Sequence, residues 1–449
     1  MVKYLSVDDI LPFVGEYGRF QILIEGILCV AMIPQNFQFL IIYFAALEPD
    51  WKCTSNQNNT ICVSNVIFPA DNSSRCGMPR NEWTYVQSRD YSMVTQFDLD
   101  CDSGWLVYLL TSIFFIGWTF GAIVLGWFAD HYGRRMVFLP SLTAIILIGF
   151  ATSFVEHVWL LVFLRFAVGF VVPGAMVQSY ILASELVSGR YRPFNGTMLW
   201  LFFAIGLCIM GLKAYFIRKW KILYIVCTIP YIIVVAFCVF VPESIRWLRV
   251  QNRIPEATSI LRRVGRWNNK PLPEDVRLKP VNSMTYCSKV SMLDLFRPLP
   301  IAISTVIQGF GWFIIGMVYN GLSLAADDLG GSLYLNFVLA SAIEFPGHVI
   351  AIVLCNRLGR KRTTIWNMIS GGLACAMVPA IHFSGEWRYL RICLGIAGKF
   401  FATITFDSIY IWSAEIFPTN TRAEAFGFLQ ITSTVGSASA PWVSVLWKV

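Results

Sequence analysis

Eleven apolar runs alternate with short polar loops along the chain. They cover 21–43, 104–127, 137–155, 159–182, 196–216, 222–241, 299–320, 333–355, 364–383, 390–412 and 424–446. A helix rises about 1.5 Å per residue, so about 20 residues cross the roughly 30 Å of hydrocarbon in a bilayer. Each run therefore predicts a membrane-spanning helix. Residues 1–20 are mixed and polar, which makes the first run a retained span rather than a cleaved leader.

Two long polar segments interrupt the series. The first, 45–103, carries four basic and eight acidic residues. It contains Cys53, Cys62, Cys76 and Cys101, with glycosylation sequons at Asn58 and Asn72. That combination indicates an extracytoplasmic loop closed by two disulfides, and four cysteines leave three pairings open. The second segment, 242–298, has eleven basic and five acidic residues, which places it and the N-terminus in the cytoplasm. Arg218, Lys219 and Lys221 disagree, because they fall between spans five and six on the outer side. Within the linker, Trp247, Val250, Ile254, Ala257, Ile260, Leu261 and Val264 recur at helical spacing and predict one amphipathic helix along the cytoplasmic face. The expected organisation is a tail (1–20), a six-helix bundle (21–241), a linker (242–298) and a second bundle (299–449) with five helices.

Composition agrees and excludes alternatives. Of the 449 residues 56% are hydrophobic and only 14% charged, against about 25% in soluble proteins. A soluble multi-domain enzyme could not cover so much apolar side chain. The net charge of +8 comes from short clusters between spans, the pattern of cytoplasmic loops rather than of a nucleic-acid surface. The four histidines form no metal or catalytic constellation, and no phosphate-binding Walker motif is present. The expectation is a protein with no cofactor, metal or ATP, which is not an enzyme.

The chain also repeats internally. Gly126-Trp-Phe-Ala-Asp130-His-Tyr-Gly133-Arg134-Arg135 follows span two, and Asn356-Arg357-Leu358-Gly359-Arg360-Lys361-Arg362 follows span eight. Gly133 and Gly359 are 226 residues apart. Glu185 with Arg192 recurs as Glu415 with Arg422, an offset of 230. Two motifs at nearly one offset describe two halves of similar topology, the parallel repeat of a major-facilitator transporter. A tight loop between helices needs glycine for positive φ. Asp130 is expected to pair with a base or a helix N-terminus and lock the halves in one state. Asn356 replaces that acid in the second copy.

Motifs along almost the whole chain resemble those of the organic cation, carnitine and organic anion transporters of the major facilitator superfamily. Gly18-Arg19-Phe20-Gln21 is similar to the start of that family's first span. Val94-Thr95-Gln96-Phe97-Asp98-Leu99-Asp100-Cys101-Asp102 resembles the close of its large outer loop. Pro242-Glu243-Ser244-Ile245-Arg246-Trp247-Leu248 resembles its signature after span six, with Ile245 where proline is usual. Tyr319-Asn320-Gly321-Leu322-Ser323-Leu324 and Ala414-Glu415-Ile416-Phe417-Pro418-Thr419 match its span-seven and span-ten motifs. The resemblance implies an all-α fold of two six-helix repeats around a central cavity that opens alternately to each side. With eleven spans counted, the twelfth helix is expected to be missing from this chain. Gating roles are implied for Gly126, Asp130, Gly133, Arg134, Arg135, Arg165, Glu185, Arg192, Glu243, Arg246, Gly359, Arg360, Glu415 and Arg422.

Charges inside spans are costly and point to function. They are Glu25, Lys213, Glu344, His348, Lys399 and Asp407. Glu344 lies where the resemblance puts an acid facing the cavity. Asp407 reads either as a ligand for a cation or as the internal partner of a base, with Lys399 two turns earlier the nearest. His348 reads first as a packing residue and, as the alternative, as a proton-sensitive group. Cation recognition also uses ring faces, and the resemblance puts Tyr180, Trp312 and Tyr319 at cavity positions, with Asn320 beside them and Met176 where cation carriers tend to have tryptophan. Thr434 stands where such carriers have an aspartate or arginine, so the usual charge selector is absent. The expected function is a plasma-membrane carrier of organic cations or zwitterions, partnered by a small organic ion and the bilayer. The alternatives are an organic anion carrier using Lys213, Lys399 and His348, or a receptor-like member that does not transport.

Overall fold

A computed structural model describes residues 3–54, 67–68, 73–80, 82–273, 275–280, 292–297, 299–326, 329, 331–380, 387–418 and 421–448. Asn58, Cys62 and Asn72 lie outside the described residues. Strand β1 (Lys3–Leu5) and α1 (Val7–Val14) precede the first span, α2 (Arg19–Ala45). The loop that follows holds β2 (Trp51–Cys53), β3 (Ile67–Phe68), β4 (Trp83–Tyr85) and α3 (Met93–Phe97). Spans two to six are α4 (Trp105–Tyr132), α5 (Arg134–Thr152), α6 (Val158–Glu185), α7 (Arg192–Phe216) and α8 (Trp220–Cys238). The linker forms α9 (Ile245–Val250), α10 (Ile254–Trp267) and β5 (Val276–Leu278). The second half comprises α11 (Leu299–Leu324), α12 (Leu333–Ala342), α13 (Glu344–Leu358), α14 (Arg360–Ala380), α15 (Arg388–Ile416) and α16 (Arg422–Lys448).

Among the described residues nine helical segments are long and apolar enough to cross a membrane, with α12 and α13 forming one of them. Helices α14 and α16 occupy the other two positions expected from the sequence. The repeat is visible in packing. A methyl group at Gly206 on α7 would come within 2.8 Å of the Ile33 carbonyl on α2, and one at Gly436 on α16 within 2.1 Å of the Phe313 carbonyl on α11. The two glycines are 230 residues apart, the same offset as Glu185 and Glu415.

Span eight is broken at Ile343, which the apolar run does not reveal. The cause is Pro346. It has no N–H to give the Ala342 carbonyl, and its ring crowds that carbonyl. The break sets Glu344 in the first turn of α13.

The loop after α2 packs Trp51 flat on Phe68, with ring centroids 4.4 Å apart, in a sheet ordered β3-β2-β4. Cys76 bonds Cys101, and Cys53 is also in a disulfide. At this face the two halves close on each other. Ser112 on α4 donates to the Ala438 carbonyl at 2.6 Å, and Trp442 donates to Ser112 at 2.9 Å. Phe44 packs edge-on against Phe337 at 4.9 Å. Arg218, one of the bases that dissent from the charge rule, lies 4.3 Å over the Tyr334 ring, so it is held at this closure.

The opposite face carries the linker. The single predicted helix is two, because Asn252 takes φ 60° between them and Pro255 restarts α10 in its first turn. Ala257, Leu261 and Val264 of α10 are buried, as are Val7, Ile10, Leu11 and Val14 of α1. The polar tail is therefore folded. β1 pairs in parallel with β5, and Asn268 donates to the Val14 carbonyl at 2.9 Å while accepting from the Phe20 N–H at 3.0 Å. Asp8 receives Arg246 at 2.6 Å and Arg192 at 3.3 Å. The Arg246 hydrogen bond holds its carboxyl below the usual carboxylate range.

The repeated glycine loops differ in detail. Gly133 has φ 117° and Gly359 φ 81°. After Gly133 the N–H groups of Arg134 and Arg135 meet Glu243 Oε1 at 2.9 and 3.1 Å, so the N-terminus of α5 cradles that carboxylate. Asp130 pairs with a base, Arg134, within its own half. Arg360 pairs with Glu415 at 2.8 Å in the second half, whereas Glu185 accepts the Ser244 hydroxyl.

These loops yield a graded prediction. A methyl at Gly133 meets Glu243 Oε2 at 2.4 Å, whereas Gly359 and Gly126 have nothing within 4 Å. Gly133→Ala should destabilise by more than the roughly 1–3 kcal/mol of backbone strain alone, Gly359→Ala by about that strain, and Gly126→Ala should stabilise by up to about 1 kcal/mol. Thermal-shift chromatography of the detergent-solubilised protein checks the ranking, and equal losses at Gly133 and Gly359 would refute the Glu243 contact.

Candidate functional site

Between the halves lies a cavity that, with the open space at its mouth, spans about 750 Å³. Its wall comes from α2, α4, α6 and α7 of the first half and α11, α13, α15 and α16 of the second. Helices α5, α8 and α14 contribute none of it. Phe39, Phe115, Trp118, Trp200, Phe203 and Phe406 line it with aromatic rings. Trp200 and Phe406 meet across the halves with ring centroids 5.8 Å apart.

One side of the wall is charged. Glu344 accepts the Tyr319 hydroxyl at 2.9 and 3.1 Å and faces Lys399 Nζ at 3.3 Å. Lys399 also donates to the Tyr319 carbonyl at 3.2 Å and to Ser323 at 2.9 Å, and lies 3.2 Å over the Tyr319 ring. Both charges are almost fully buried. A second pair lies one turn further along α13, where His348 Nδ1 is 2.7 Å from Asp407 Oδ2. Lys399 therefore partners Glu344, not Asp407 as the sequence suggested. Eight residues turn a helix through about 800°, leaving the two side chains about 80° apart around the axis of α15. Glu344 and His348, spaced four apart, share a face of α13 and meet them in turn. His348 is a charge partner at the cavity wall rather than a packing residue.

The other candidates fall in different places. Tyr319, Asn320, Glu344 and Thr434 line the cavity. Asn320 is held by the Gly316 carbonyl at 3.0 Å and Ser437 at 2.9 Å. Thr434 meets Thr119 of the other half at 2.7 Å. Trp312 is fully buried behind Phe406, its indole N–H on Ser413 at 3.0 Å and its ring 4.6 Å from Tyr410. Tyr180 is half-exposed near Gly196 and does not line the cavity, whereas Met176 does. Asp407 stands behind His348, outside the lining. Lys213 sits 3.9 Å over the Phe37 ring and reaches the Val226 carbonyl, away from the cavity. Glu25 accepts the Tyr17 hydroxyl. Arg165 is buried in the first bundle, donating to the Gln38 carbonyl at 3.1 Å. Sequence reasoning missed the aromatic wall, because 68 aromatics offer no signal for which ones turn inward.

The Glu344–Lys399 pair generates a stability prediction. Removing one partner strands the other charge in a dry site, at a cost of about 3–5 kcal/mol, while replacing both by apolar groups is nearly neutral. Glu344→Gln and Lys399→Met should each lower the melting temperature of the detergent-solubilised protein sharply. The double change should recover most of the loss, and additive losses would refute the pairing.

Residues 55–443 match the family model for sugar (and other) transporters. The mouse solute carrier family 22 member 4 is 30% identical, covering 97% of this chain and 86% of that protein. The organic cation transporter protein of Drosophila melanogaster is 27% identical, covering 99% and 88%. The rat organic cation/carnitine transporter 2 is 30% identical, covering 97% and 85%. In fold, the chain resembles the inward-open xylose transporter XylE from E. coli with a TM-score of 0.63 at 14% identity, over 94% of this chain and 88% of that one. A partially occluded form of the same transporter gives 0.61, also at 14% identity, over 94% and 90%. With its paired halves, central cavity and these relatives, the chain belongs to the sugar (and other) transporter family of the major facilitator superfamily, in the branch that holds the solute carrier family 22 and the organic cation and carnitine transporters.

Proposed function

We propose that this chain carries organic cations across the plasma membrane by alternating access, as a secondary transporter. The observation that carries the reading is the composition of the cavity wall. Seven aromatic rings line it, Glu344 is its one lining acid, and Asp407 stands just behind His348, while Lys399 is turned onto Glu344. Ring faces attract a cation by about 0.5–2 kcal/mol each when desolvated. Glu344 and Lys399 cancel, which leaves Asp407 as the acid that can balance a positive substrate. The names of the relatives point the same way. The anion-carrier reading loses its support, because Lys213 lies outside the cavity and Lys399 is neutralised. In this reading the disulfide face is extracellular, the N-terminus and linker are cytoplasmic, and the closure around Ser112, Ala438 and Trp442 shuts the cavity on the outside. Transport then proceeds by swapping that closure for one at the linker face, where Gly133, Glu243, Arg360 and Glu415 lie. The membrane potential can drive the step, at about 2.3 kcal/mol per charge per 100 mV.

Uptake by cells expressing the chain tests this. Labelled tetraethylammonium should enter saturably and a labelled aromatic carboxylate should not. Asp407→Asn should cut cation uptake at least about tenfold, a loss of 1.4 kcal/mol or more. Phe406→Ala should raise the KM about 2- to 30-fold at unchanged surface level. Uptake of the carboxylate alone overturns the reading. A protein at the surface that moves neither favours a receptor-like role.

A further inference from the structure

We propose that Glu25, with the rings of Tyr17, Tyr191 and Phe194, forms a second organic-cation site, outside the central cavity, at the linker-face ends of spans one and five. Its ligand is a quaternary ammonium or a similarly bulky organic cation. That such a cation arrives through the cavity rests on the cation-carrier reading; the site itself does not.

Glu25 is an acid inside a span with no countercharge. It is 5% exposed. One carboxylate oxygen, Oε2, accepts the Tyr17 hydroxyl, while Oε1 is buried with no hydrogen-bond partner among the described residues. No base among the described residues stands in ion-pair contact with it. The other two acids buried in spans differ, because Glu344 has Lys399 and Asp407 has His348. A carboxylate left in that state is costly, and a cation from outside the chain removes the cost.

The rings beside it define what that cation is. Tyr17 ties the carboxylate to the cluster and stacks on Tyr191, with centroids 5.2 Å apart and 15° between the planes. Phe194 meets Tyr17 edge-on at 5.9 Å. Tyr17 precedes α2, whereas Tyr191 and Phe194 stand at the start of α7, so two spans bring their ends together around one carboxylate. Ring faces beside an anion suit an ammonium that carries alkyl groups in place of N–H donors. A metal ion fits poorly, since it needs several oxygen ligands and no group of three metal-binding side chains gathers among the described residues. Arg190 lies 5.8 Å over the Tyr191 ring, so that ring already attracts a cation. Arg190 is exposed and leaves Oε1 free.

The site is reachable and lies on a route from the cavity. Phe194 is 48% exposed, and Tyr17 and Tyr191 are half-buried. Glu25 and the cavity residue Phe39 are 14 residues apart on α2. That places them about 21 Å apart along the helix and about 40° apart around it. A cation leaving the cavity along α2 toward the linker face meets Glu25.

Equilibrium dialysis of purified full-length protein in detergent against labelled tetraethylammonium counts the sites. The wild-type protein should bind two per chain, and Glu25→Gln and Asp407→Asn should each leave one. Phe194→Ala, a change at a half-exposed ring, should keep both sites and weaken one about 2- to 30-fold. That variant serves should Glu25→Gln not fold, and unchanged affinities in it overturn the second site. A single wild-type site that Asp407→Asn removes and Glu25→Gln leaves means that Glu25 holds a proton instead; it overturns the second site and leaves the cation-carrier reading intact. A single site that Glu25→Gln removes and Asp407→Asn leaves supports the proposal and overturns the cavity reading. Absence of binding overturns both.

Discussion

A charge placed in hydrocarbon must find a countercharge or a polar atom of the protein, and the interior of this chain is arranged around that demand. Lys399 on α15 reaches across to Glu344 on α13, and the same ammonium is tied to Tyr319 and Ser323 on α11. One buried ion therefore joins three helices and fixes which of their faces meet. In the first half Arg165 does similar work, with its guanidinium on the Gln38 carbonyl of α2 and over the Phe114 ring of α4. Breaking such a contact costs more than any surface ion pair returns, so the bundles are held in register by a few polar groups inside an otherwise apolar packing.

The two halves repeat in topology but not in electrostatics. Both have a glycine at positive φ before an arginine, and both have a glutamate fifty-odd residues on. In the second half the arginine and glutamate pair directly. In the first half the linker intervenes: Glu243 occupies the N-terminus of α5, and Ser244 occupies Glu185. The folded tail adds a further tie, through Asp8 to Arg192 and Arg246. The linker face of the first bundle is thus braced by α1, α9 and α10, while in the second bundle Leu295 of the linker is buried in the core and Arg360 pairs with Glu415.

Much of this was legible in the chain. The runs of apolar residues located the spans to within a few positions, since hydrocarbon thickness sets a minimum length for a spanning helix. The offsets of the glycine and glutamate motifs revealed the repeat, and the order of spans followed from it. The acid at Glu344 was identifiable as a wall residue. Other features had a local signal that went unread. Pro346 marks the break in span eight, and Asn252 with Pro255 marks the break in the linker helix. Trp312 and Tyr319 share a helical face, yet only Tyr319 reaches the cavity, because Phe406 and Tyr410 from another helix fill the space in front of Trp312.

By itself the sequence determined the membrane class, the order of the helices, the doubling of the fold and the set of charges that had to be accommodated inside. These depend on length, periodicity and spacing, which are properties of neighbours along the chain. Only the tertiary structure decided how the charges pair, which aromatics face the cavity and at which face the halves close. Those outcomes depend on the rotation and depth of one helix against another. Lys399 and Asp407 are eight residues apart on one helix, and it is the placement of Glu344 and His348 on the helix beside it that assigns each its partner.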